Sequence, residues 1–136
     1  LAALPASPFS FAAKRVWAQF RLEETGGGLR APGDSVLLSC RGSGFSFGNY
    51  GFQWYRQAPG GTLEWVSFIG IFSTFTDYAA AVEGRATVSR DNSRSVASLF
   101  MRALQPQDSA RYFCAVHTET GNPAELLRNP AAPGPS

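Results

Sequence analysis

The chain is short of charge and of reactive side chains, and each shortage removes a class of function. Only 16% of its 136 residues are charged, and 12 basic against 10 acidic side chains leave a net charge of +2. That balance is too weak to draw the chain to nucleic acid or to an anionic membrane, and only Lys14 and Arg15 form an adjacent basic pair. There is one histidine, His117, and no C-x-x-C spacing, so no metal site is expected. No P-loop, no G-x-S-x-G and no nucleophile–base set can be found. The expectation is a protein that is not an enzyme and carries no cofactor. No run of eighteen apolar residues occurs, which argues against a membrane span, and no stretch keeps a helical period.

What is present is a core-forming composition. A hydrophobic content of 44% and an aromatic content of 13% are globular values and exclude disorder throughout. The length suits one domain with tails. From about Gln19 the pattern is short strands broken by turns. Phe20 and Leu22 alternate with polar neighbours until Gly26-Gly27-Gly28 interrupts, and Pro32-Gly33-Asp34 makes a turn. Val36, Leu38 and Cys40 share one face at period two, as do Phe52, Trp54 and Arg56, while Gln53, Tyr55 and Gln57 take the other. Leu63–Ile69 reads as the next strand, and 86–89 and 97–101 as a hairpin around Asp91-Asn92-Ser93.

Cys40, Trp54 and Cys114, in that order, with Tyr112 two positions before the second cysteine, are the most specific signal. In a two-sheet sandwich such cysteines bridge the sheets, the indole packs on the bridge, and the tyrosine hydroxyl ties a corner to the backbone. The expected class is therefore an all-β Greek-key sandwich with one inter-sheet disulfide, with Trp54 and Tyr112 in its core. A pairing disulfide implies an oxidising compartment, and closing so long a loop stabilises by about 4 kcal/mol in the chain-entropy model.

From Gln19 to Val116 the chain resembles an immunoglobulin heavy-chain variable domain. The residues that carry the likeness are Gly26–Leu29, Leu38-Ser39-Cys40, Gly44–Phe47, Trp54–Gly60, Leu63–Val66, Arg90–Ser93 and Asp108–Cys114. The segment Tyr78–Thr87 is similar to bird heavy chains. The resemblance implies antigen binding through loops at one end, here Gly44–Gly51 and Phe68–Tyr78. Phe45, Asn49, Tyr50, Phe72, Ser73, Thr74, Phe75 and Asp77 are the candidate antigen contacts, and Phe47 is expected to tuck inward. It also implies a face that pairs with a light-chain variable domain, made by Gln53, Tyr55, Gln57, Leu63, Trp65 and Phe113. Tyr55 stands where the family usually has valine, a feature similar to single-domain antibodies. Arg85 and Asp108 match the family's salt bridge. Extracellular placement, secreted or at the cell surface within an immunoglobulin, follows from the same likeness.

Both ends depart from the family. Residues 1–18 read as a partial leader with an inserted pyrimidine-tract translation, 19–116 as the domain, and 117–136 as a disordered Pro- and Gly-rich tail containing His117. No last strand with a Trp-Gly-x-Gly bulge follows Ala115, so that strand is expected to be missing and the fold marginal. Translated recombination signals at His117-Thr118-Glu119 and Leu127–Pro130 would make the chain an unrearranged germline segment. The rival expectations are a segment with no role as protein and a cell-surface immunoglobulin-like receptor or adhesion domain.

Overall fold

The computed structural model describes residues 20–117. The expectations for 1–18, for the tail after His117 and for the last strand lie outside those residues. Eight strands form: β1 (Arg21–Gly26), β2 (Val36–Ser43), β3 (Gly51–Gln57), β4 (Leu63–Ile69), β5 (Thr76–Tyr78), β6 (Ala86–Asp91), β7 (Val96–Met101) and β8 (Arg111–His117). They pair antiparallel into two four-stranded sheets, ordered β1-β2-β7-β6 and β5-β4-β3-β8. Single turns of 3-10 helix at Phe47–Asn49 and Pro106–Asp108 lie at opposite ends of the sandwich.

Period two explains which side chains meet. On the inner faces lie Leu22, Leu38, Cys40, Phe52, Trp54, Val66, Ile69, Val88, Leu99, Met101, Cys114 and Val116, all buried in one cluster. Each large apolar side chain buried there contributes about 1.5–3 kcal/mol relative to exposure. The outward neighbours Leu37, Arg41 and Phe100 are exposed. Val66 breaks the alternation: Trp54 pairs with Ser67 while Tyr55 pairs with Trp65, so Val66 is the extra residue of a bulge and still reaches the core.

The Cys40–Cys114 disulfide joins the sheets with Cα atoms 6.4 Å apart. Trp54 pairs with Cys114 across β3 and β8, and Ala97 with Cys40 across β7 and β2, so both residues flank the bridge and both are fully buried. Gly26, where β1 ends, has φ 103° and lies so close to the Leu37 carbonyl oxygen that no Cβ would fit. The three-glycine break is thus a point where the backbone leaves the sheet.

Several placements differ from the sequence expectation. The expected strand Leu63–Ile69 forms as β4, and Thr76–Tyr78 form β5, because Ile69 pairs with Thr76; the second loop, expected over Phe68–Tyr78, is therefore 70–75. His117, expected in the tail, is the last residue of β8 and pairs with Gly51. Phe113, expected on an open face, is only 2% exposed although it lies outside the core cluster.

Candidate functional site

The base of the sandwich is closed by charge. Arg56 enters from β3 on the core side and is 5% exposed. It donates from Nε to Glu64 Oε1 at 2.9 Å, and from Nη1 to Asp108 Oδ1 at 3.0 Å and to the Tyr112 hydroxyl at 3.2 Å. Arg85 grips the same carboxylate with both nitrogens, Nη1 to Oδ2 at 2.7 Å and Nη2 to Oδ1 at 3.1 Å. The Gln105 N–H adds a bond to Oδ2 at 2.8 Å, and Tyr112 donates its hydroxyl proton to the Asp108 carbonyl at 2.8 Å. The expected Arg85–Asp108 pair and the tyrosine corner are therefore parts of one network. Burial disfavours the Asp108 charge, but bonds from Arg85, Gln105 and Arg56 outweigh it and hold the carboxyl below the usual range. Burial likewise opposes the Arg56 charge, and Tyr112, Glu64 and Asp108 more than compensate. A carboxylate so fully engaged has no oxygen left for acid–base work. A cleft of about 850 Å³ opens beside it, floored by Val36, Leu38, Leu104 and Tyr112, at the end away from the loops.

The opposite end is built from aromatic rings and one unpaired-by-acid arginine. Phe47 is 4% exposed and stacks on Phe52 with centroids 4.5 Å apart, so it is tucked inward. Arg90 lies over both rings at 5.2 and 5.1 Å. It donates to the Phe47 carbonyl at 3.0 Å, the Gly70 carbonyl at 2.6 Å and Asn92 Oδ1 at 2.8 Å, tying the first loop to the second. Its acceptors are neutral, and burial lowers its affinity for the proton. Phe45 is half-buried between Phe20, Phe47 and Tyr50; its ring and that of Phe47 occupy the space a Cβ at Gly42 would take. Of the first-loop candidates, Asn49 is exposed and Tyr50 half-buried.

The second loop projects apolar surface. Phe72 is 75% exposed and Phe75 66%, with Ile71, Ser73, Thr74 and Asp77 exposed beside them. The loop is nonetheless shaped: Gly70 N–H donates to the Phe75 carbonyl at 2.8 Å and Phe75 N–H to the Phe72 carbonyl at 3.1 Å. The Phe75 ring covers Gly70, where a Cβ would come within 2.9 Å of it, and meets Phe68 edge-on. Phenylalanines fixed in such a frame offer contact area without a large ordering cost.

The outer face of the second sheet carries Gln53, Tyr55 and Gln57 from β3, Leu63, Trp65 and Phe68 from β4, and Phe113 and His117 from β8. Leu63 is exposed, and Tyr55, Trp65, Gln53 and Gln57 are half-buried. Gln57 spends its amide on the Gly61 carbonyl at 3.0 Å. Phe113 lies on this face but is buried and offers no open surface. Roles for Arg56, Glu64, Arg90, Glu24 and His117 were not read from the sequence. Arg56 had a signal, a cation at period two with Phe52 and Trp54. Glu24, which accepts from the Cys114 N–H at 3.2 Å across the sheets, had none, because that bond needs the β1–β8 packing to exist first.

The family model of the immunoglobulin V-set domain matches residues 29–126 of the chain. With the two antiparallel sheets and the inter-sheet disulfide, this makes the protein a member of the immunoglobulin V-set family. Such domains are generally binding modules rather than enzymes, and one closed by a disulfide fits an extracellular setting. No helix among the described residues is long and apolar enough to cross a membrane.

Proposed function

We propose that this V-set domain is the variable region of an immunoglobulin heavy chain, binding antigen through its loop end and pairing with a light-chain variable domain. The observation that carries the reading is the outer face of β3 and β4. Leu63, Trp65 and Tyr55 form an apolar surface there while the opposite sheet shows mainly Ser, Thr and charged groups outward, with Leu37, Val96 and Phe100 as exceptions. A half-buried Trp beside an exposed Leu on an outer sheet face suits a surface that a partner covers. Phe72 and Phe75, with Ser73, Thr74, Asp77, Asn49 and Tyr50 beside them, supply the antigen-facing groups, and half-buried Phe45 packs edge-on against Tyr50. Antigen would be met without covalent chemistry, on a secreted or cell-surface immunoglobulin.

Sedimentation of the full chain with a light-chain variable domain tests the pairing. A one-to-one complex that Leu63→Arg abolishes, with the unfolding midpoint of the lone chain unchanged, is the expected result. A chain that stays monomeric beside every light-chain domain offered would favour a receptor-type role for the same fold.

A further inference from the structure

Three polar side chains on the outer face of the second sheet form one hydrogen-bonded line. Trp65 on β4 donates its indole N–H to Gln53 Oε1 at 2.7 Å, and Gln53 Nε2 lies 2.9 Å from His117 Nδ1. The His117 ring is further held edge-on against Phe68, centroids 5.0 Å apart. The line thus joins the end of β8 nearest the loops to the indole on the pairing face.

The donors and acceptors along this line leave one assignment. An indole nitrogen can only donate, so Gln53 must turn its carbonyl oxygen toward Trp65. The Gln53 amide N–H is then committed to His117, whose Nδ1 must accept. An imidazole that accepts at Nδ1 is neutral and carries its proton on Nε2. Protonation puts a second N–H on Nδ1, facing the amide N–H of Gln53. If Gln53 rotates its amide to offer oxygen to His117, it turns N–H toward the Trp65 indole, and two donors again face each other. The mismatch is moved along the line and not removed. From this we infer that Gln53 couples the protonation state of His117 to the hydrogen bonding of Trp65, so that a proton taken up near the loops is felt on the pairing face.

Among the described residues the other ionisable groups on this face are Tyr55 on β3, Asp77 on β5 opposite Phe68, and Arg111 at the far end of β8. Among the described residues none of these three is hydrogen-bonded to His117, and Asp77 accepts from the Tyr78 N–H. The inference deepens the proposed pairing role and rests on it only for its consequence. A partner that packs on Trp65 and fixes it against Gln53 disfavours proton uptake by His117. By reciprocity, proton uptake weakens that partner.

The test uses the full chain labelled with nitrogen-15 and followed by NMR from about pH 8 to about pH 5, the span in which imidazoles titrate. At the upper end His117 should show an unprotonated Nδ1 and a protonated Nε2. As pH falls, the Trp65 indole resonance, identified by its loss in Trp65→Phe, should shift with the same midpoint as the His117 ring. In Gln53→Met, which keeps the shape but not the polar ends, that shift should vanish while His117 still titrates. A Trp65 indole indifferent to the His117 titration, or an Nδ1-protonated tautomer at the upper end, overturns the coupling. Light-chain affinity is a separate arm: a drop of about fivefold or more across the same span, absent in Gln53→Met, extends the coupling to the partner. Failure of a light-chain domain to bind at any pH would instead count against the pairing role, leaving the relay to stand or fall on the NMR result.

Discussion

Arg56 and Arg90 both point into the sandwich, one at its base and one at its loop end, and they are held by opposite means. Arg56 meets two carboxylates and a phenol, and its surroundings favour its charge. Arg90 meets carbonyl and amide oxygens and the faces of two phenylalanines, and burial works against its charge. The base is therefore an interlocked ionic structure in which removal of one member strands the others. The loop end is a neutral frame that orients two loops without fixing what they display. A domain whose task is recognition gains from that asymmetry: strength sits at the base, and the exposed loops rest largely on backbone carbonyls that any residue supplies.

The contrast can be broken from either end. Asp108→Asn removes the counter-charge of Arg85 and leaves buried Arg56 with Glu64 alone, and should cost about 3–5 kcal/mol of stability, read by denaturant unfolding. Arg90→Met, which keeps the apolar stem over the rings, should cost less, about 1–3 kcal/mol, for the carbonyl bonds lost. Its hydrogen-exchange protection should fall at Phe47–Asn49 and Gly70–Phe75 and stay intact at the base. Phe72→Ser should change stability by no more than about 0.5 kcal/mol and reduce binding of a hydrophobic dye, since its ring is exposed.

Acid sharpens the same comparison. Asp108 holds its proton less readily when folded than when unfolded, so it adds stability above the ordinary carboxylate range. That contribution is lost as pH falls below about 4, through the depressed value of the folded state. Wild type should lose stability there more steeply than Asp108→Asn, and the loop-end variant Arg90→Met should follow the wild-type slope.

Much of the fold was legible because its signals are local or rigidly spaced. The period-two runs placed Leu38, Cys40, Phe52 and Trp54 inward, and the Cys–Trp–Tyr–Cys order gave the bridge, the packed indole and the corner. The antigen and pairing residues came from the likeness to a family. What sequence did not reveal depends on distant contacts. Gly70 places Phe75 and shortens the second loop, while the pairing of Gly51 with His117 carries β8 one residue past the expected boundary. Glu24 and Arg90 act on backbone groups far along the chain, and no spacing rule reports such partners. The burial of Phe113 on the outer face was likewise invisible, since period two gives the face a residue takes and not what covers it.

Hydrogen exchange of the full chain, alone and mixed with a light-chain variable domain, is the most direct test of the central claim. The account predicts new protection on the outer-face strands around Gln53–Gln57 and Leu63–Phe68. The other sheet, including the strands that carry Leu37 and Phe100, should be unchanged. Protection confined to β2 and β7, or none on β3 and β4, would contradict the assignment of the binding face.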